Sequence, residues 1–402
     1  MIEIVQAGPG SLEALRRHNR LRVLDALRRR GGASRADVVR ETGLSRTTVS
    51  SLVSTLLEEG VVVERSDRKQ GAPSPNGGRP PTLLTLDPSS GGIIGIDFGH
   101  EDVRVAVADL SCTVLAEASR SLDVDHQARA ALTAAAQMTR SLLRELGLSR
   151  DRIVGVGAAV SAPVRAGSGA LASAAIFPGW VGVDVAAELG RRLRLPVAVG
   201  NDANLGALAE AMFGSGRGVE NLVYVMLSAG VGAGLVLDGR LYEGDTGTAG
   251  ELGHVVVAPD GLVCRCGNRG CLETVAGASA IVDALRHSHG PDVTLDEVLR
   301  LAEAGDAGAC RVIADAGRAV GRALAAVCSV LDPRLVVAGG EVAAAGDLLI
   351  DSIRDAIEYA TTPSTGQAVS VVRGELGARA EVLGAVALAL GSTATHLPPL
   401  RA

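Results

Sequence analysis

Apolar residues recur at helical spacing through the first sixty positions and at strand spacing beyond position ninety. Leu21, Leu24 and Leu27 put an apolar stripe on a first predicted helix. Ser34 precedes a second, with Asp37 three residues on, as in a capping box. Val38 and Val39 are expected to face inward, and Gly43 to break the chain. Ser45 then caps a third helix. Its Val49, Leu52, Val53, Leu56 and Leu57 follow the i, i+3, i+4, i+7, i+8 stripe of an amphipathic helix, and Gly60 ends it. Two short strands, Val61–Val63 and Thr82–Leu86, flank a turn-rich loop and predict a wing. Helix, helix, Gly-containing turn and polar-faced helix is the helix-turn-helix order.

From Gly91 onward the pattern becomes that of an α/β protein. Gly91–His100 reads as an apolar strand running into a glycine turn, with Asp97 at its end. Val103–Leu110 closes a hairpin, and Val114–Ala118 adds a further strand. A helix over Ala128–Leu146 and a buried strand over Ile153–Val160 follow. Leu222–Leu227, a glycine turn over Ser228–Gly234 and Leu235–Leu237 repeat the strand–turn–strand plan. Leu335–Ala338 with Gly339-Gly340 is a late strand and turn. Two similar halves predict two lobes around a cleft. Glycine turns let backbone N–H groups approach phosphate oxygens, although most such turns are only turns.

Composition narrows the function classes. Over 402 residues, 47% are hydrophobic and 21% charged, an ordinary globular balance with room for two or three domains. Aromatics make up 2%, too few for a binder that stacks single-stranded bases on aromatic platforms. No apolar run reaches the roughly 18 residues of a membrane span, and Met1–Arg17 has no apolar signal-peptide segment, so a soluble cytoplasmic protein is expected.

The net charge of −6 hides an asymmetry. Residues 16–80 carry fourteen basic and seven acidic side chains, a net of +7 that leaves −13 on the rest. A basic segment on an acidic body points to a polyanion partner for the first part alone, or to a solvated basic face. The third helix leaves a slim polar face of Arg46, Thr47, Ser50, Ser51 and Ser54, suited to the DNA major groove. Ser45 and Thr48 lie in its first turn. Arg79, in Asn76–Pro81, is placed to enter a minor groove if that segment is an arm and not a plain linker.

Three of six cysteines cluster as Cys264, Cys266 and Cys271, with His254 ten residues upstream of the first. Three thiolates and an imidazole form a closed structural zinc set; disulfides are the alternative and suit a cytosolic chain poorly. Cys112, Cys310 and Cys328 are scattered and read as small buried apolar residues. Glu251 and Glu273 flank the cluster. Gly200-Asn201-Asp202-Ala203-Asn204 sets an amide beside a carboxylate at a strand end. Carboxylates and amides read paired sugar hydroxyls, and an aspartate there can serve as base for phosphoryl transfer; both residues can equally cap a helix.

Taken together, these runs resemble the ROK family of repressors, open reading frames and sugar kinases, specifically its transcriptional regulators. Asn201-Asp202 is similar to the family's sugar-binding motif, Gly250–His254 to its Glu-x-Gly-His motif, and Cys264–Glu273 to its zinc motif with the following sugar-binding glutamate. The resemblance implies an N-terminal winged helix-turn-helix over residues 1–88. It implies a two-lobed actin-like, sugar-kinase-like (ribonuclease H-like) body over 89–402, with lobe 1 at about 89–200 plus a C-terminal helix at about 378–395 and lobe 2 at about 201–377. Asn201, Asp202, Glu251, His254 and Glu273 would line a sugar site, and His254 with Cys264, Cys266 and Cys271 would hold Zn2+. The kinase phosphate loop Asp-x-Gly-Gly-Thr stands here as Asp97-Phe98-Gly99-His100-Glu101, without the hydroxyl and with a carboxylate that repels ATP. Ser161–Val164 also departs from the family's sugar loop. A sugar-responsive repressor binding double-stranded operator DNA as a dimer or tetramer is therefore expected, without ATP. The alternatives are a sugar kinase with an accessory DNA-binding domain, in which Asp202 would be the catalytic base, and a pure scaffold.

Overall fold

The computed structural model describes residues 12–30, 32–65, 82–87, 91–165, 171 and 177–392. Three helices come first: α1 (Leu12–Arg30), α2 (Arg35–Thr42) and α3 (Arg46–Glu58). Their ends are set by side chains. Ser34 and Asp37 form the reciprocal capping box at the start of α2, and Gly43 closes it in the left-handed conformation at φ 64°. Ser45 caps α3 by accepting from the Thr48 N–H at 3.1 Å. β1 (Val62–Arg65) and β2 (Leu83–Leu86) then pair antiparallel as a wing. Val49, Val53 and Leu56 are buried, with Leu52 and Leu57 packed at the margin, so the stripe read in the sequence is the packed one.

The first large sheet is built from β3 (Gly92–Phe98), β4 (Asp102–Asp109), β5 (Val114–Ser121), β6 (Ile153–Val160) and β7 (Val197–Asn201), with α4 (Ala128–Glu145) and α5 (Val185–Leu193) between them. Its order is β5-β4-β3-β6-β7, antiparallel on one side of β3 and parallel on the other. α6 (Asp202–Phe213) leaves the end of β7 directly. The second sheet uses β8 (Leu222–Leu227), β9 (Val231–Leu237), β10 (Arg240–Tyr242), β11 (Leu335–Gly339) and β12 (Ser370–Arg373), ordered β10-β9-β8-β11-β12 with the same parallel and antiparallel pattern. Its helices are α7 (Glu273–Ala276), α8 (Ala278–His289), α9 (Leu295–Glu303), α10 (Ala307–Leu331), α11 (Asp347–Ala360) and α12 (Pro363–Ala368). α13 (Ala380–Ser392) ends the described chain.

Two expectations need correcting. β9 begins at Val231 and not at Leu235, because Gly234 lies inside the strand. A Cβ there would overlap the Ala203 carbonyl of α6, so this glycine serves close helix packing and not a turn. Of the scattered cysteines only Cys328 is buried; Cys112 and Cys310 are half-buried.

α13 is the seam of the molecule. It packs on β3 and β6 on one side and on α6 on another, and it reaches α1. Gly384 makes the α6 contact possible, since a Cβ there would overlap the Leu205 carbonyl. The apolar core of the helix-turn-helix is continuous with the body: Val23, Leu24, Leu27, Val53 and Leu84 share one cluster with Ile93, Leu110, Val386, Ala389 and Leu390. The sequence pattern gives no hint of this, because each segment there is satisfied by its own periodicity.

Candidate functional site: a polar cleft beside a cysteine–histidine cluster

The N-terminal face is simple. Arg46, Thr47, Ser50 and Ser51 are exposed along α3, and Thr48 is half-buried. Ser45 is spent on the cap, its Oγ also within 2.8 Å of the Thr47 and Thr48 hydroxyls. Arg79 lies outside the described residues. Much of the basic charge is used internally. Arg20 is buried and pairs with Glu59 at 2.6 Å, Arg22 donates to the Thr42 carbonyl, and Arg35 pairs with Glu64 at 3.0 Å. Both ion pairs lie within this segment and are already counted in its net +7, so they decide which arginines stay free for a partner and not the size of the excess.

In the body, Asn201 and Asp202 stand where β7 passes into α6. The capping reading holds for Asn201. Asn201 caps α6 by accepting from the Asn204 N–H at 3.1 Å, and its Nδ2 donates to Asp202 Oδ1 at 2.8 Å. Asp202 is 5% exposed, and burial raises its pKa against hydrogen bonds from Ser161 and the Ala203 N–H that favour its charge. The cap therefore also aims the carboxylate.

Glu251 and His254 flank a short turn after β10, and Glu273 opens α7. Glu251 lies close enough to Asp202 and Glu273 for both to act on it; burial, then those two like charges, push it up to about 7. Glu273 accepts from Arg265 Nε at 2.8 Å. The structure thus brings together Asp202, Glu251 and Glu273, with Asn201 behind the first.

His254, Cys264, Cys266 and Cys271 offer four ligand atoms within 4.8 Å of one another and could hold a metal ion. The spacing fits. Tetrahedral zinc bonds of about 2.0–2.3 Å put ligand atoms about 3.5–3.8 Å apart. Here Cys264 Sγ lies 3.6 Å from His254 Nδ1, and Cys266 Sγ lies 3.6 Å from Cys271 Sγ. The donor chemistry agrees. Burial, and then the neighbouring thiols, push Cys271 up to about 12, so three adjacent thiolates need a cation among them. His254 turns Nε2 towards Glu251, 3.7 Å from Oε2, which is how a carboxylate orients a ligating imidazole. One histidine joins the cysteine cluster to the cleft.

The first strand–turn–strand motif is the less expected part. Asp97 is 8% exposed and its Oδ1 has no partner among the described residues; burial and then the nearby Glu381 and Asp202 carboxylates raise its pKa. His100 Nδ1 meets Asp125 Oδ1 at 2.7 Å, and its ring lies edge-on to Phe177 at 5.6 Å. Asp125 was missed in the sequence, since twenty-five positions separate it from His100 and no motif links them.

Comparison with known proteins agrees with this picture. A model described as the ROK family matches residues 93–392, and one described as the IclR helix-turn-helix domain matches residues 19–66. The chain is 26% identical over 394 residues to a protein named xylose repressor from Caldicellulosiruptor bescii, covering 95% of this chain and 97% of that one. A crystal structure described as a ROK family transcriptional regulator, homologous to the MLC protein of E. coli, superposes with a TM-score of 0.75 at 26% identity, over 94% of this chain and 96% of that one. A ROK family glucokinase from Streptomyces griseus, solved with glucose and AMPPNP, superposes with a TM-score of 0.67 at 27% identity, over 74% of this chain and 99% of its own.

Proposed function

We propose, for a chain that belongs to the ROK family, that it is a DNA-binding transcriptional repressor of carbohydrate-related genes whose cleft senses a sugar or sugar derivative. Residues 1–88 would grip operator DNA through Ser45, Arg46, Thr47, Thr48, Ser50, Ser51 and Arg79, and residues 89–402 would bind the effector through Asn201, Asp202, Glu251, His254 and Glu273. The observation that carries this reading is α13. It packs on α6, whose first residues are candidate sugar contacts, and its far side shares the core of the helix-turn-helix. A sugar that favours one placement of α6 against α13 would bias the DNA unit through packed side chains. It can do so only by binding one arrangement better than the other.

Zinc is the metal that suits the cluster. His254, Cys264, Cys266 and Cys271 would hold it in a closed four-coordinate site, where it supplies rigidity and no chemistry of its own. The loop it fixes carries Arg265 and leads into Glu273. A dimer would present two α3 helices to two half-sites. An ATP-dependent sugar kinase is the second reading, favoured by the buried Asp202 and opposed by Glu101 in the first phosphate loop. Gel shift with DNA from upstream of the gene, with and without a sugar panel, tests the repressor reading. Retardation relieved by one sugar is expected, and no binding to any promoter fragment at moderate salt would overturn it.

A further inference from the structure

Beside the candidate sugar residues, and not including them, a cavity of about 530 Å³ opens between the two halves. His100, Glu101 and Asp125 line it from the first half, and Ala229, Arg265 and Ser279 from the second. Two residues connect it to the sugar site. Arg265 bonds Glu273, and His100 lies near enough to Asp202 to favour its charge. The volume falls in the range of about 300–1,000 Å³ that holds whole small molecules.

The walls define the ligand by its chemistry. Acceptors and donors are mixed. Asp125 spends Oδ1 on His100 Nδ1, which leaves the imidazole Nε2 for another partner; Arg265 spends Nε on Glu273 and keeps its terminal N–H groups. Ser279 is exposed and adds a hydroxyl. Of the three carboxylates in the wall, Asp125 pairs with His100 and Asp123 with His126, while Glu101 stands beside a guanidinium already engaged by Glu273, so among the described residues a phosphate finds no unspent guanidinium there. Among the described residues no Phe, Tyr or Trp lines the cavity, so a purine lacks a broad stacking platform there. Leu122 and Ala229 supply small apolar patches of the kind that C–H faces cover. An uncharged, hydroxyl-rich ring fits all of these conditions. His100 is fixed for the task by Asp125 on one side and Phe177 on the other.

We propose that this cavity is a second saccharide subsite, so that the effector is an unphosphorylated oligosaccharide of at least two residues. The inference rests on the sugar reading above. One ring lies at Asn201, Asp202, Glu251 and Glu273, and the next lies between the His100–Asp125 pair and Arg265. Because the walls come from both halves, the second ring bridges the cleft and favours its closed arrangement more than a single ring does.

Calorimetric titration of the full-length protein tests this with paired probes: glucose and cellobiose, xylose and xylobiose, N-acetylglucosamine and its β-1,4-linked dimer. At least one disaccharide is expected to bind about tenfold more tightly than its own monosaccharide, the worth of one or two added hydrogen bonds. Ser279→Trp fills the cavity from an exposed position and should erase that margin while leaving the monosaccharide affinity unchanged. Asp125→Asn, which alters the His100 pair without adding bulk, should narrow it. Monosaccharides binding as tightly as every dimer, or a margin untouched by Ser279→Trp, would overturn the second subsite and leave the first standing. If no sugar of either size bound, the sugar site would fail and this subsite with it.

Discussion

The two halves of the body share one plan and differ in chemistry. Each has a central strand, β3 in the first sheet and β8 in the second, followed on one side by two strands joined by antiparallel pairings and on the other by two joined by parallel pairings. The turn that ends β8 is Ser228-Ala229-Gly230, free of charge. The turn that ends β3 is crowded with Asp97, His100, Glu101 and Asp102, and His100 is locked to Asp125. The second half carries the cysteine–histidine cluster after β10, and the first has no counterpart among the described residues. Identical topology thus fixes where a ligand sits, between the halves, and leaves the ligand's identity to the side chains at the turns.

The largest way to sharpen the contrast is to break the cysteine–histidine cluster. If it holds the proposed zinc, Cys271→Ser or a strong chelator should release the ion and cost several kcal/mol, because binding energy at a structural site is folding energy. The melting temperature should fall by about 10 °C. Elemental analysis and a thermal melt check both, and an unchanged melt would show that the second half does not depend on a metal.

Next is the seam where the halves meet. Gly384→Ala pushes a methyl into the Leu205 carbonyl and should cost about 1–3 kcal/mol. If α13 transmits the signal, the variant should also bind operator with a blunted response to sugar, read by fluorescence anisotropy. Full stability with a full response would break the proposed link.

A third prediction concerns the carboxylates under that seam. Glu381, at the start of α13, is pushed up to about 7, chiefly by burial, and accepts from the Tyr224 hydroxyl at 3.2 Å. Its folded pKa lies above its unfolded value, so between about pH 4.5 and pH 7 the folded state holds the extra proton, and stability from this group is lost as pH rises. Glu381→Gln should therefore be more stable than the parent at pH 8, by about 1–2 kcal/mol, with the gap narrowing below about pH 7 and closed near pH 4.5. A gap independent of pH would show that Glu381 is not charged above neutrality.

The smallest effect is expected from Glu101→Thr, which restores a hydroxyl at the first turn. Asp123, Asp125 and the locked His100 remain, so ATP turnover with a hexose panel should stay undetected. Measurable turnover would make the two halves more alike than their charges imply.

Much of this was legible in the sequence because it depends on short spacing. Capping residues Ser34, Asp37 and Ser45, the α3 stripe and the cluster from Cys264 to Glu273 all sit within ten or so positions of their partners. What stayed hidden depends on distant contacts. His100 with Asp125, and Val386 with the helix-turn-helix core, carry no local pattern. Which arginines stay free is hidden for the same reason, since Arg20 and Arg35 meet acids distant in sequence within the same small domain.

The most direct test of the account is an anisotropy titration of labelled upstream DNA with the purified full-length protein, repeated with each sugar of the panel. Coupling between an effector site and a DNA site predicts specific binding at moderate salt and an affinity changed about five- to 150-fold by one sugar. An affinity that no sugar alters, with calorimetry showing that a sugar is nonetheless bound, would contradict it.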